Sequence, residues 1–246
     1  MSCAGMLTAD MTADTTAAAG DQDDVFRTGH GHVAVRLRAC RHGEPPTSAE
    51  AARLAEGLVA ERLGIAPGRV RVASLVPSGR PVAFVSGEPA AVCLSISHVP
   101  GLVGAAVSAD AWIGLDIVDP AEAGRGLDVW FTPDELALVP DDGRLRALLW
   151  AAKEAAYKAC RLDTEFRPRG VVIDSLAARS FAWTVQDRFG DVRGTGRLLA
   201  LGRYVVALAT TAAGHGPRPS GRAEAPLADT IAHDLTSFET PEALFP

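Results

Sequence analysis

The chain has 246 residues, of which 48% are hydrophobic and 22% are charged, so it can bury a sizeable core in one large domain or two small ones. Its 24 Lys and Arg residues against 30 Asp and Glu residues give a net charge of -6, which excludes a chain-wide attraction to nucleic acid or to an anionic membrane. An anionic ligand must therefore meet a local basic cluster.

Four cysteines, Cys3, Cys40, Cys93 and Cys160, are scattered along the chain without a CxxC pair. This spacing argues against a disulfide framework and a structural zinc site, and it favours a reducing compartment. The N-terminal stretch lacks the basic start and apolar core of a secretory signal, and no apolar run approaches the length of a membrane span. We therefore expect a cytoplasmic protein that is neither exported nor inserted into a membrane.

The two ends of the chain differ in composition from the middle. Residues 1–28 are small, polar and acidic, which predicts a disordered leader. Residues 213–246 are rich in Pro and Gly and lose the periodic pattern, which predicts a flexible or loosely docked tail. Between these ends we expect an N-terminal lobe over residues 29–112 and a C-terminal lobe over residues 113–212.

The first half begins with the alternating stretch HVAVRLRAC, which is typical of a half-buried strand. Ser48 then opens the helical stretch SAEAARLAEGLVAERLGI as a capping residue. Short β-rich runs separated by Pro, Gly or Asp follow, and they predict an antiparallel sheet. These runs are RVRVASLV, PVAFV, AVCLSIS, LVGAAVS and WIGLDIV.

The second half repeats this combination. Thr132 as N-cap and Pro133 at the first helical position predict a helix in TPDELALV, and a long helix is expected from about Asp141 to Arg161. Strands are then expected near GVVIDSL, SFAWTVQD, GTGRLLALG and RYVVALATT. The predicted fold is α+β, with two similar, pseudo-symmetric lobes that each pack helices on an antiparallel sheet.

The long helix carries a charged stripe. Trp150, Glu154 and Lys158 share one face because residues four apart are neighbours on a helix, and Lys153 and Tyr157 flank them. An exposed Glu154–Lys158 ion pair worth roughly 0.3–0.5 kcal/mol would explain this pattern. A functional carboxylate that the two lysines keep ionised is the second interpretation.

Two other polar residues interrupt apolar runs. Asp116 lies inside WIGLDIVDP, where a buried carboxylate needs a counter-charge, and both a turn-capping aspartate and a metal ligand are open interpretations. His98 ends SISH before a Pro-Gly turn, where a lone histidine is more often a surface residue than a functional one.

Taken in order, the stretches SGRP, SISH, GLDI, FTPDE and WAAKEAAYK resemble the signature of the 4′-phosphopantetheinyl transferases. The resemblance is to the larger, two-lobed class that looks like the surfactin-synthetase activating enzyme, and it runs from about Arg53 to about Thr210. Its most specific element is W-x-x-K-E-x-x-x-K after G-[IL]-D-[IV]. These enzymes move the phosphopantetheine arm of coenzyme A to a serine of a carrier protein and release 3′,5′-ADP.

The resemblance implies roles for the acidic residues and for one lysine. Asp116 and Glu154 would bind Mg²⁺, for which Mn²⁺ can substitute, and Glu135 is a further candidate ligand. Glu154 would also take the proton from the carrier serine, and Lys158 would face the phosphates that separate. Hard Mg²⁺ prefers carboxylate oxygens and keeps several waters, so carboxylates from two different elements suffice to hold it.

The resemblance also implies a set of residues for coenzyme A. Arg80 would lie near its adenosine end and Arg53 near its 3′-phosphate, although an exposed helix arginine also explains Arg53. Ser97 and His98 would hydrogen-bond a phosphate, and Lys153 would help to hold Glu154 or reach a phosphate. The complete predicted set is Arg53, Arg80, Ser97, His98, Lys153 and Lys158.

The sequence departs from the family at one metal-binding position. Larger members often carry a second acid two residues after the aspartate, where this chain has Val118, and strand alternation points Asp119 to the opposite face. A non-catalytic module that binds coenzyme A or a carrier protein therefore stays an alternative. An unrelated acyltransferase is disfavoured because the chain has no GxSxG motif.

The resemblance also implies the partners. These would be acyl, peptidyl or aryl carrier proteins of fatty-acid, polyketide or non-ribosomal peptide synthesis. Neither nucleic acid nor a membrane is expected as a partner. The enzyme would be a monomer. Carrier proteins are typically acidic, so a basic rim would attract them. Arg161, Arg167 and Arg169 are candidates for that rim, and a solvated loop explains them equally well.

Overall fold

The computed structural model describes residues 21–28, 30–40, 45–75, 79–123, 126–139, 142–161, 165–186 and 190–212. Within these ranges it has three α-helices, which are α1 (Ser48–Leu63), α2 (Pro133–Leu138) and α3 (Gly143–Cys160). The strands of the first half are β1 (Asp21–Thr28), β2 (Gly31–Ala39), β3 (Val70–Ser74), β4 (Pro81–Val85), β5 (Glu88–Pro89), β6 (Cys93–Val99) and β7 (Leu102–Ser108). Those of the second half are β8 (Ala111–Val118), β9 (Val171–Ala177), β10 (Ser180–Val185), β11 (Val192–Leu201) and β12 (Tyr204–Ala212).

The strands form three sheets whose paired neighbours are all antiparallel. A four-stranded sheet has the order β1-β2-β7-β6, a small sheet has the order β3-β4-β5, and a five-stranded sheet has the order β8-β12-β11-β10-β9. The predicted α+β class with antiparallel sheets is confirmed. The chain passes to the five-stranded sheet between Ser108 and Ala111. The pseudo-symmetry of two lobes and their boundaries as domains stay predictions.

The two larger sheets lie between the two long helices. One face of the four-stranded sheet packs against α1, where Leu54 and Leu58 meet Val103 and Val107. Its other face meets the five-stranded sheet in a second cluster, which includes Val33, Val35, Leu37, Ile113, Leu115, Val206 and Leu208. The far face of the five-stranded sheet is covered by α3. The alternation of side chains along each strand allows both faces of each sheet to be buried.

The helix starts follow from their capping residues. The Thr47 side chain accepts a hydrogen bond from the Glu50 N–H, and the Glu50 carboxylate accepts one from the Thr47 N–H at 2.7 Å. Ser48 as the cap of α1 was therefore wrong, because this reciprocal arrangement needs an acid three residues after the cap and Ser48 has Ala51 there. Thr132 and Pro133 begin α2 as predicted.

The predicted leader is wrong for its last eight residues, since residues 21–28 form β1 and pair with β2. The stretch DQDDVFRT has few apolar residues, but an antiparallel ladder is made of backbone hydrogen bonds and does not require them. Residues 1–20 and the predicted tail at 213–246 lie outside the described residues. No helix in the described part of the chain is long and apolar enough to cross a membrane.

Candidate active site

The edge strands β6 and β8 of the two larger sheets are joined by side chains. Backbone hydrogen bonds connect β8 to β12 on one side. On the other side its N–H groups donate to Cys93, Ser95 and Ser97, which are alternate residues of β6 and which we call the side-chain ladder. The bonds are Ile113 N to Cys93 Sγ at 3.4 Å, Leu115 N to Ser95 Oγ at 2.9 Å and Ile117 N to Ser97 Oγ at 3.1 Å.

Small residues bring α3 close to β8. A Cβ atom added at Gly114 would lie 2.0 Å from the Ala155 carbonyl oxygen and 2.6 Å from the Ala159 nitrogen. Both residues belong to a run of fully buried alanines in α3, which are Ala151, Ala152, Ala155, Ala156 and Ala159. The small side chains of the alanine-rich helix and of the glycine in GLDI thus allow α3 and β8 to pack closely. They allow the acidic and basic residues of α3 to reach Asp116, two positions beyond Gly114.

Asp116 is buried in the middle of β8, with 3% of its surface exposed. Its Oδ1 atom accepts a hydrogen bond from Lys158 Nζ at 2.6 Å and another from Ser97 Oγ at 3.1 Å. Lys158 Nζ also lies 3.7 Å from Glu154 Oε2. Asp116 therefore has the counter-charge that the sequence predicted, and its position inside a strand excludes the turn-capping interpretation. We call Asp116, Glu154 and Lys158 the charged triad.

The residues of the charged triad change the pKa values of one another. Burial, followed by the negative charge of Asp116, raises the pKa of Glu154 to about 7, although Lys158 and a hydrogen bond with Trp150 oppose the shift. Of the two lysines predicted to keep Glu154 ionised, only Lys158 lowers its pKa, and the combined effect of burial and Asp116 is larger. Burial would lower the pKa of Lys158, but Asp116 and Glu154 outweigh it and raise that pKa.

The charged triad opens into a cleft of about 560 Å³. Of the predicted site residues, Ser97, His98, Asp116, Glu154 and Lys158 line this cleft, and His98 is exposed in it. The structure therefore brings together five predicted residues from β6, β8 and α3. Residues Val118, Asp119, Glu122 and Trp150 also line it.

Lys153 and Glu135 do not belong to this site. Their side chains are 0% and 1% exposed, and Lys153 Nζ lies 2.7 Å from Glu135 Oε1. Lys153 Nζ also donates to the carbonyl oxygens of Pro168, at 3.0 Å, and of Val171. Burial lowers the pKa of Lys153, and Glu135 partly offsets this effect. The predictions that Lys153 serves the triad or coenzyme A and that Glu135 approaches a metal are contradicted by these contacts.

Helical geometry explains why Lys153 lies outside the cleft, and a capping role explains the position of Glu135. Consecutive helix residues point about 100° apart, so Lys153 faces away from the cleft when Glu154 faces into it. Glu135 is the reciprocal acid of the α2 cap, because its Oε2 accepts a hydrogen bond from the Thr132 N–H at 2.8 Å. Its Oε1 accepts another from the Ile173 N–H at 2.9 Å. The buried pair thus ties α2 and α3 to β9.

Two predicted arginines lie away from the described lining of the cleft. Arg53 is exposed on α1, where its positive charge lowers the pKa of Glu50 after the larger effects of the Thr47 hydrogen bonds. Arg80 Nη2 donates to the carbonyl oxygen of Arg161, the C-cap residue of α3, at 2.9 Å. Their assignment to coenzyme A stays a prediction.

Asp119 and Glu122 are cleft residues without a role in the predicted site. Asp119 is buried, its Oδ1 accepts a hydrogen bond from the Ala121 N–H at 3.0 Å, and its Oδ2 forms an ion pair with Arg203 Nε at 3.0 Å. The expectation that Asp119 points to the face opposite Asp116 was wrong, because β8 ends at Val118 and Asp119 lines the same cleft, although its carboxylate is paired with Arg203. The sequence around Asp119 does not predict its pair with Arg203, because Arg203 lies far along the chain on the turn between β11 and β12.

Residues 113–209 match the family model of the 4′-phosphopantetheinyl transferase superfamily. The matched segment begins in β8 and ends in β12, so it contains the complete charged triad. This match supports a transferase of this kind. A comparison with curated proteins finds no match.

The triad contains a pair of carboxylates that fits the divalent cation implied by the family resemblance of the sequence. Asp116 and Glu154 are close enough to share a hydrogen bond, and a proton held with a pKa of about 7 reduces their mutual repulsion. In the described part of the chain no group of three His, Cys, Asp or Glu side chains could hold a metal ion. Mg²⁺ is commonly bound through one or two carboxylates plus water and substrate phosphates. A carboxylate pair of this kind is sufficient for it.

Proposed function

We propose that this protein transfers the 4′-phosphopantetheine arm of coenzyme A to a serine of an apo acyl, peptidyl or aryl carrier protein. The observation that carries the proposal is the convergence of Asp116, Glu154 and Lys158 on one cleft within the segment that matches the superfamily. The first two supply carboxylates and the third supplies a positive charge at the same point. This is the set of groups that phosphoryl transfer between two anionic partners requires.

In the proposed reaction, the serine oxygen forms a bond to the phosphorus that carries the pantetheine arm. The bond from that phosphorus to the bridging oxygen of the pyrophosphate breaks, and 3′,5′-ADP leaves with the electron pair. The serine proton passes to Glu154, a carboxylate that lines the cleft beside Asp116 and Lys158. Lys158 faces the separating phosphates and stabilises the negative charge that develops on the leaving group.

Mg²⁺, with Mn²⁺ as a substitute, would be held by Asp116 and Glu154 and would neutralise charge on the reacting phosphates. The acidity of the cleft supports this part of the proposal. Its described lining contains Asp116, Asp119, Glu122 and Glu154, against Lys158 and His98. An anionic ligand would be repelled by such a surface unless a cation accompanied it. His98, exposed in the cleft, would contact a phosphate of coenzyme A.

The wider features of the proposal follow from the rest of the chain. Membership of the larger, two-lobed class is supported by the four-stranded sheet and α1, which precede the matched segment. We also propose a monomer, as the family resemblance of the sequence implies. A cytoplasmic location follows from the scattered cysteines, and the partners proposed include neither nucleic acid nor a membrane.

The proposal is tested by the intact mass of a carrier protein. The protein is incubated with coenzyme A, Mg²⁺ and each of several apo carrier proteins, with parallel reactions in a chelator. A mass gain of one phosphopantetheine that disappears with the chelator is the expected result. Measurable binding of coenzyme A without a mass gain on any carrier would overturn it in favour of the non-catalytic binding module.

A further inference from the structure

The last member of the side-chain ladder makes an additional bond. Like Cys93 and Ser95, Ser97 accepts a hydrogen bond from an N–H group of β8, in this case that of Ile117 at 3.1 Å. Its hydroxyl also donates to Asp116 Oδ1 at 3.1 Å. The same oxygen atom of Ser97 therefore links the backbone of one β8 residue to the side chain of the residue before it.

We propose that Ser97 is a positioning residue that fixes the orientation of the Asp116 carboxylate. A serine hydroxyl has one hydrogen to donate and two lone pairs to accept. In this structure its hydrogen points to Asp116. One lone pair accepts from the Ile117 N–H, so the two bonds together hold the hydroxyl in one orientation beside the carboxylate.

The geometry explains why Asp116 needs a second contact. Lys158 reaches Asp116 through a flexible four-carbon side chain, and it also lies near Glu154. Ser97 is buried on β6, and the ladder bond to the Ile117 N–H restrains its hydroxyl. A short side chain on a strand therefore supplies the rigid contact. Groups that orient a metal-binding carboxylate commonly affect metal affinity by about 10–100-fold.

The chain contains a matched control for this role. Ser95 lies two residues earlier on the same strand, is also buried, and accepts the corresponding hydrogen bond from the Leu115 N–H at 2.9 Å. The substitutions S95A and S97A each remove one hydroxyl of the ladder. They differ because S97A also removes the hydrogen bond to Asp116. A comparison of the two variants therefore separates the positioning of Asp116 from the general stability of the junction.

The experiment measures Mg²⁺ binding by titration calorimetry and coenzyme A binding in a chelator, so neither readout depends on turnover. We expect S97A to weaken Mg²⁺ binding by about tenfold or more, while S95A stays within about twofold of wild type. In the chelator, S95A should bind coenzyme A as wild type does, and S97A should lose less affinity for coenzyme A than it loses for Mg²⁺. Weaker coenzyme A binding by S97A with unchanged Mg²⁺ binding would overturn the inference in favour of a phosphate ligand.

A second variant keeps the test valid if S97A does not fold. The substitution S97C retains a sulfur that can accept from the Ile117 N–H, as Cys93 Sγ accepts from the Ile113 N–H, but a thiol is a weak donor to Asp116. It should fold with the stability of S95A or better and still bind Mg²⁺ more weakly than wild type. Wild-type Mg²⁺ affinity in S97C would contradict the inference.

The inference rests on the proposed function, because the position of Asp116 affects phosphopantetheine transfer only if the protein is a transferase. The experiments nevertheless distinguish a wrong role for Ser97 from a wrong function. A wild-type protein that binds Mg²⁺ and modifies no carrier would contradict the proposed function, while a selective loss of Mg²⁺ affinity in S97A would still support the role of Ser97. Equal losses in S95A and S97A, in an active enzyme, would overturn the inference and leave the proposed function intact. A wild-type protein that binds no Mg²⁺ would overturn the inference.

Discussion

Lys158 Nζ lies 2.6 Å from Asp116 Oδ1 and so joins α3 to β8 across 42 positions of sequence. The same ammonium group lies 3.7 Å from Glu154 Oε2. It thus neutralises part of the charge of two carboxylates that repel one another. This relationship gives Lys158 two separate effects, one on the carboxylates and one on a bound phosphate, and a substitution can distinguish them.

The substitution K158M should slow phosphopantetheine transfer by about a hundredfold or more, because the leaving phosphate loses a positive charge. It should not weaken Mg²⁺ binding, since the removed ammonium competes with a cation for Asp116 and Glu154. The measurements are kcat on a carrier protein and the Mg²⁺ dissociation constant by calorimetry. A loss of Mg²⁺ affinity that parallels the loss of kcat would contradict this account of Lys158.

The protonation of Glu154 predicts how stability depends on pH in a chelator. Its folded-state pKa is raised from an ordinary 4.5 to about 7, so between these values the folded state binds more protons than the unfolded state. The free energy of unfolding should therefore fall as the pH rises through this window, and the loss should be complete above about pH 7. The substitution E154Q should remove this contribution.

Urea denaturation at pH 5.5 and pH 8 measures the effect. E122Q is the control, because it removes an exposed carboxylate from the same cleft and should keep the wild-type difference between the two pH values. The same difference in E154Q as in wild type would show that Glu154 does not cause it.

The Lys153–Glu135 pair should be important for stability and not for ligand binding. K153M leaves the carboxylate of Glu135 buried without its charged partner, and breaking a buried pair in this way costs about 3–5 kcal/mol. The double variant K153M/E135Q should lose less than the sum of the two single losses, because no unpaired charge remains. Urea denaturation of the three variants measures these costs. Weaker coenzyme A binding by K153M at unchanged stability would contradict the structural role.

Gly114 should be essential for the approach of α3. G114A would place a methyl group 2.0 Å from the Ala155 carbonyl oxygen, which is backbone and cannot move aside without displacing the helix. We expect loss of the fold, or a fold with a lower melting temperature and no Mg²⁺ binding. G143A is the control because it lies at the start of the same helix with no atom within 4 Å of the added carbon. A wild-type melting temperature in G114A would be incompatible with this packing.

Local patterns were sufficient for most of the regular elements. Alternation predicted β2, short β-rich runs between Pro, Gly and Asp predicted β7 and β8, and helical spacing predicted α1. Capping chemistry gave the start of α2 but failed at α1, where two adjacent hydroxyl residues compete and the acid at Glu50 decides between them. The pairing of β1 was missed because it depends on a neighbouring strand more than on its own composition.

Within the site, the family resemblance supplied the residues but not their contacts. The stripe of α3 placed Glu154 and Lys158 on one face, and the structure brings both to Asp116. Sequence alone did not distinguish Lys153 from Lys158, because the carbonyl groups and the carboxylate that surround Lys153 come from distant segments. The raised pKa of Glu154 was missed for the same reason, since it depends on burial and on Asp116.

The central claim is tested most directly by the mass of an apo carrier protein after incubation with coenzyme A, Mg²⁺ and one of three forms of the proposed transferase. These are the wild type, D116A and E154A, with folding of each variant checked by circular dichroism. The account predicts that wild type adds one phosphopantetheine to the carrier and that both folded variants add none under the same conditions. Full modification of the carrier by either D116A or E154A would contradict it.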